Sequence, residues 1–237
     1  MLKSDKKEIE SELHTLYSER VDEEKITLNE NEEIYKIIPK HKRYRVYIGK
    51  FSEKNKGLHP IFDELKKAQK GDSLELVINS PGGAIQEGML FYNIIQQKFF
   101  NKVTTFLDNH GLSMGALLFC MGNKRVIYPY SQLMFHTYSH GASGKGNSVK
   151  ARLKYSRKII ESFFYELVVE KGFLTKKEYQ DMLIGKDFWM DAKELCKRKI
   201  ATHVIANGKE MTAKEYLKEL KNQKKLKKAK KKKKKKK

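Results

Sequence analysis

Ser113 stands in the run Gly111-Leu112-Ser113-Met114-Gly115-Ala116, between the apolar stretches 103–107 and 116–121. That order fits a strand, a sharp turn and a buried helix, with the serine at the turn. A serine hydroxyl is a weak nucleophile until the backbone holds it clear of the fold and a histidine takes its proton. Flanking glycines permit the tight backbone this requires. A serine at a helix start also has unsatisfied N–H groups beside it, which can hold a developing oxyanion. The same residue types make a plain helix cap, so the elbow acquires meaning only from what surrounds it.

Two further features supply that context. Ser80-Pro81-Gly82-Gly83 is a sharp turn after the apolar strand 74–78, and His136 closes a short strand over 133–135. The elements that must position them follow from hydrophobic periodicity. Tyr44, Val46 and Ile48 alternate with polar residues and predict a strand ending at Gly49. Helices are predicted over 58–69, 84–100, 113–121 and about 149–171, with a strand over 103–107 and another starting at 125–127. A glycine-rich loop, 140–146, precedes the last helix. Strands alternating with helices predict a layered α/β domain with a largely parallel sheet. Sites in such sheets form at the carboxyl ends of strands, where Gly83, Ser113 and His136 can converge.

The organisation is a compact domain over 43–208 flanked by a polar extension (1–42) and a basic one (209–237). In the first, Ile9, Leu13 and Leu16 share one helical face and predict a short amphipathic helix. The net charge is +21, but residues 221–237 hold thirteen lysines and no acid, which leaves +8 on the rest. A block of that kind repels itself and is expected to be disordered after a helical start. It can bind a polyanion nonspecifically, although no aromatic interrupts it to stack on bases. No apolar run reaches the ~18–20 residues of a membrane span. The first residues have no apolar core of the signal-peptide type. The two cysteines, Cys120 and Cys196, lie among apolar residues, as expected of free thiols in a reducing, cytoplasmic compartment. Neither has metal-ligand spacing, and no metal or organic cofactor is expected.

The order and spacing of three motifs carry a resemblance: Ile78-Asn79-Ser80-Pro81-Gly82-Gly83, then Ser113-Met114-Gly115-Ala116, then Met134-Phe135-His136. Over roughly residues 44–205 the chain resembles the proteolytic subunit of Clp protease (ClpP), a family of serine peptidases. Phe188-Trp189-Met190-Asp191-Ala192-Lys193-Glu194-Leu195 is similar to a helix start of that family. The resemblance implies a ClpP/crotonase-like fold of stacked βαβ units with a handle helix after the 141–146 loop. It implies Ser113 as nucleophile, His136 as general base, and the Gly83 and Met114 backbone N–H groups as the oxyanion hole. Ungapped alignment places Leu183 at the family's aspartate; of the nearby acids, Asp181 and Asp187, the reading takes Asp187, with Asp181 and a dyad without an aspartate as the alternatives. It further implies a homo-oligomer of stacked rings, a Clp-type ATPase that unfolds polypeptide substrates, and no cofactor. The divergent pattern and the added tails point to a phage-type or accessory member.

Three other readings remain open on the residues. An α/β-hydrolase esterase would use Ser113, one of the same acids and His203, an order the chain contains. It leaves Ser80-Pro81-Gly82-Gly83 and Met134-Phe135-His136 without a role. A crotonase-like acyl-CoA enzyme does not need a serine in this elbow. An inactive ClpP-like assembly subunit would not need Ser113, His136 and Gly83 together.

Overall fold

The computed structural model describes residues 7–11, 14–21, 41–50, 58–139 and 141–234, with side chains from 41 to 229. Its centre is a parallel sheet. Strands β3 (His41–Ile48), β4 (Ser73–Ser80), β5 (Val103–Leu112), β6 (Lys124–Ile127) and β9 (His203–Ala206) lie side by side in that order, all parallel. The connections carry α1 (His59–Leu65), α2 (Ile85–Lys98) and α3 (Met114–Cys120). These are the βαβ units the alternating pattern predicts. Alternate residues of β3 and β4 are buried: Tyr44, Val46 and Ile48, then Leu74, Leu76 and Ile78. Every residue of α3 is buried, so this short helix runs through the core and holds the turn before it rigidly.

β5 is longer than its apolar run. Ile78 pairs with Leu107 but Ser80 pairs with Gly111, so β5 spends four residues where β4 spends two. That bulge lets one strand serve two partners. Thr104–Leu107 pair with β6, while His110–Leu112 pair with β7 (Gln132–Phe135). Ser131 fixes the switch: its buried hydroxyl donates to the Leu107 carbonyl and accepts from the Tyr128 N–H. β8 (Phe188–Asp191) adds antiparallel to β7.

The long helix α4 (Gly146–Tyr165) runs into a wider π turn at Glu166–Glu170. It buries Ile160, Phe163 and Phe164 at its end only, and Tyr155 is 68% exposed on the part that projects. α5 (Lys176–Leu183) starts with a capping box between Thr175 and Glu178. α6 (Ala192–Lys197) is capped by the Asp191 carboxylate. Arg198 ties the two together, donating to Glu178 through both Nη atoms and to Glu194 through Nε. β10 (Lys209–Thr212) turns back on β9 and leads into α7 (Ala213–Lys234).

Two expectations are corrected. The periodicity of Ile9 and Leu16 predicted a helix; instead β1 (Lys7–Ser11) and β2 (His14–Val21) form an antiparallel hairpin that extends the sheet beyond β3. Ile9, Leu16 and Val46 fall on one row of that ladder, a strand pattern set by the open edge of β3. Leu13 lies outside the described residues. The lysine-rich segment, expected to be disordered, continues α7 through Lys234. Lysine is a good helix former, and its long side chains spread the charge outward.

Candidate active site

The elbow at Ser113 is a feature of the backbone before it is one of chemistry. Ser113 has φ 55° and ψ −123°, a conformation rare for a side chain-bearing residue. Such geometry costs about 1–3 kcal/mol and persists only where the surroundings impose it. Here three constraints do so. The Ser113 N–H donates to the Met134 carbonyl of β7 at 3.0 Å. The Ser113 carbonyl accepts from Ala116 and Leu117, the first bonds of α3. From the other side, the Pro81-Gly82-Gly83 turn lies directly on the serine. A Cβ added at Gly82 would stand 2.6 Å from the Ser113 Cβ, 2.7 Å from the Leu112 oxygen and 3.0 Å from the Met114 nitrogen. Gly82 and Gly83 also have φ of 94° and 146°, in the region that favours glycine.

Ser80 organises that turn, a role its place in the motif did not reveal. Its fully buried hydroxyl donates to the Gly49 carbonyl at 2.5 Å and accepts from the Gly82 N–H at 3.1 Å. The end of β3 is thereby tied to the turn that carries Gly83. Met114, at the first position of α3, has an N–H with no acceptor in its own helix, as has any residue there. The positive end of the helix adds to the attraction for negative charge. Gly83 itself is exposed, so its backbone is open to a ligand.

The β7–β8 ladder leads up to the histidine and the acid. Its rungs are Gln132 with Asp191, Leu133 with Met190, Met134 with Trp189 and Phe135 with Phe188. The ladder ends there; His136 is the residue after β7 and Asp187 the residue before β8, so both lie beyond this same end of the pair. His136 also follows directly on the strand whose Met134 holds the Ser113 N–H. Ser113 and His136 are half-buried and Asp187 is exposed. No side-chain hydrogen bond links the three in this structure.

The other acids and histidines lie elsewhere. Asp181 forms an ion pair with Lys186 at 3.5 Å. Leu183 ends α5, and its carbonyl accepts from Thr137 Oγ1, which ties α5 to the residue after His136. His203 starts β9, level with Val126 of β6 and, through it, Phe106 of β5. Five rungs separate Phe106 from Ser113 once the two bulge residues are discounted, about 16 Å along the sheet at ~3.3 Å per residue. The geometry does not bring His203 to the serine. His110 sits within β5 opposite Gln132. His140 lies outside the described residues.

Both thiols are buried and free, and burial pushes Cys120 up to about 12 and Cys196 up to about 11. Neither is poised as a nucleophile. Among the described residues no cluster of three or more His, Cys, Asp or Glu has the arrangement of a metal site, and no helix is long and apolar enough to cross a membrane.

Comparison with known proteins gives one family. A family model for Clp protease matches residues 29–208. The ATP-dependent Clp protease proteolytic subunit 2 of Thermobifida fusca is 27% identical over 141 residues, 59% of this chain and 68% of that relative. The ATP-dependent Clp protease proteolytic subunit of Bacteroides fragilis is 26% identical over 132 residues, 55% of this chain and 62% of that relative. The match thus spans about two thirds of the first relative and somewhat less of the second.

Proposed function

The chain belongs to the Clp protease family, and from that premise we propose that it is a serine endopeptidase cutting unfolded polypeptides inside an oligomeric chamber. The observation that carries the reading is the strained Ser113 elbow, held by β7 on one side and the Gly82–Gly83 turn on the other. Ser113 Oγ attacks the peptide carbonyl while His136 takes its proton. The Gly83 and Met114 N–H groups hold the oxyanion. His136 then protonates the leaving amine, and a water activated by the same histidine releases the acyl group. Asp187 orients the imidazole and supports its positive form. The unjoined geometry of this single chain fits a site whose hydrogen bonds tighten in the complex with substrate and in the assembled ring.

The division of labour along the chain follows. Residues 43–208 carry catalysis, β1 and β2 of the 1–42 extension lengthen the sheet edge, and 209–237 form a basic appendage. The projecting part of α4, with Tyr155 and Ile159 exposed, is the handle through which rings meet. A closed chamber admits only unfolded chains, so a Clp-type ATPase must supply them, because the sequence contains no phosphate-binding G-x-x-x-x-G-K-[ST] motif of its own. The reading takes the protein as cytoplasmic and as a phage-type or accessory member of the family.

The test is hydrolysis of fluorogenic short peptides, which need no unfolding. Ser113→Ala and His136→Ala should each lower kcat/KM by 10³-fold or more, to the level left by binding and the oxyanion hole, about the scale seen when one member of such a unit is removed. His203→Ala should retain activity. Loss on His203→Ala with retention on His136→Ala would move the chain to the esterase reading.

A further inference from the structure

The lysines of α7 are not an isolated tail. α7 packs against α6, with Lys193 and Lys197 on α6 and Lys224 on α7; in keeping with that packing, the Lys193 ammonium is pushed below its ordinary value by Lys224 first and Lys197 second. Lys221, Lys224, Lys225 and Lys228 are exposed. At 3.6 residues per turn they share an arc of about 100°, one stripe along the helix. Among the described residues no acid pairs with any of these four. The acids of α6 are already committed: Asp191 caps the helix, and Glu194 binds Arg198 and Lys197. Like charges are thus brought together across two elements, with Lys197 paired to Glu194 and the four lysines of α7 without an acidic partner among the described residues.

A linear polyanion is the partner that this arrangement fits. The lysines repeat along an axis, and from Lys221 the helix continues to Lys234, about 21 Å at 1.5 Å per residue, more than half a duplex turn. The segment from 221 onward has no Tyr, Trp or Arg to anchor a protein partner, and no aromatic to stack on unpaired bases. We propose that the face shared by α6 and the lysine half of α7 binds the phosphate backbone of duplex nucleic acid, without sequence preference. The inference is independent of the peptidase reading, since none of these lysines belongs to the proposed catalytic machinery.

The test is fluorescence anisotropy of the full chain with a duplex of about thirty base pairs, titrated between about 50 and 200 mM salt. Six neutralised phosphates predict a slope of log K on log salt of about −5 or steeper, at about −0.9 each. Lys193→Gln with Lys197→Gln should make the slope shallower by about 1.8, and glutamine at Lys221, Lys224, Lys225 and Lys228 by about 3.6. Melting temperatures check that each variant folds; single Lys193→Gln and Lys224→Gln variants, each worth about 0.9, give the same reading if a multiple variant does not. Absence of binding at about 50 mM salt would overturn the proposal. An unchanged slope in the α6 variants would overturn the shared face and leave the tail alone. Tighter binding of polyglutamate would overturn it in favour of an acidic protein. Tighter binding of a single strand of equal length would overturn the assignment to a duplex.

Discussion

Replacing Gly82 with alanine adds a single methyl group where the structure allows none. Its Cβ would lie 2.6 Å from the Ser113 Cβ, 2.7 Å from the Leu112 oxygen and 3.0 Å from the Met114 nitrogen. Ordinary contact between carbon atoms begins near ~3.5 Å, so the overlap with the serine is close to 1 Å. None of the three atoms is the free end of a flexible side chain; relief requires the elbow and the turn to move apart. The φ of 94° adds a backbone cost of about 1–2 kcal/mol for a residue with a Cβ. Together these predict a destabilisation of about 2–4 kcal/mol. The larger effect is on chemistry. A displacement of about 1 Å between nucleophile and oxyanion donors costs on the order of 10²-fold in rate. Peptide hydrolysis and thermal melting of Gly82→Ala check both numbers. Gly146→Ala, with open space around the new Cβ, is the control and should be neutral. A Gly82→Ala protein within threefold of wild-type kcat/KM would refute the placement of the turn against the serine.

Ser113→Gly should be more stable than Ser113→Ala by about 1 kcal/mol, because glycine relieves the φ of 55° that alanine keeps; calorimetry of the two inactive variants decides, and the reverse order would show that no strain is stored. Asp187→Asn should lower kcat at least tenfold while Asp181→Asn does not, measured on the same peptides; the opposite ranking would displace Asp187 as the group that orients His136. Arg198 holds the Glu178 carboxyl down at about 2, below its ordinary 4.5. A carboxyl lowered by folding contributes stability above its unfolded value, and that contribution fades as pH falls from 4.5 towards 2. Glu178→Gln should therefore lose about 1–2 kcal/mol at neutral pH, discounted for partial exposure, and show a shallower acid limb in a pH series of melting curves.

The strands, the turn and the elbow were legible because apolar runs alternate with Gly and Pro punctuation, which is local information. The end of β5 was not. The strand was expected over 103–107 only, yet the chain continues as a bulged strand to Leu112 because β7 offers a second partner beyond β6. The acid was ambiguous for a similar reason. Asp181 and Asp187 flank Leu183 and the Gly185 turn with equal local claims, and the β7–β8 pairing, between segments more than fifty residues apart, is what brings the start of β8 to the end of β7. Ile9 and Leu16 satisfy a helical spacing and a strand pattern at once; the open edge of β3 decides between them. Ser80 looked like part of a turn signal, and its hydrogen bond to Gly49 depends on the distant end of β3.

The most direct measurement is labelling of the native protein with a fluorophosphonate, followed by peptide mapping of the modified residue. The account predicts the label on Ser113, lost in His136→Ala and retained in His203→Ala. Label on another serine, or labelling of Ser113 that survives His136→Ala but not His203→Ala, would contradict it.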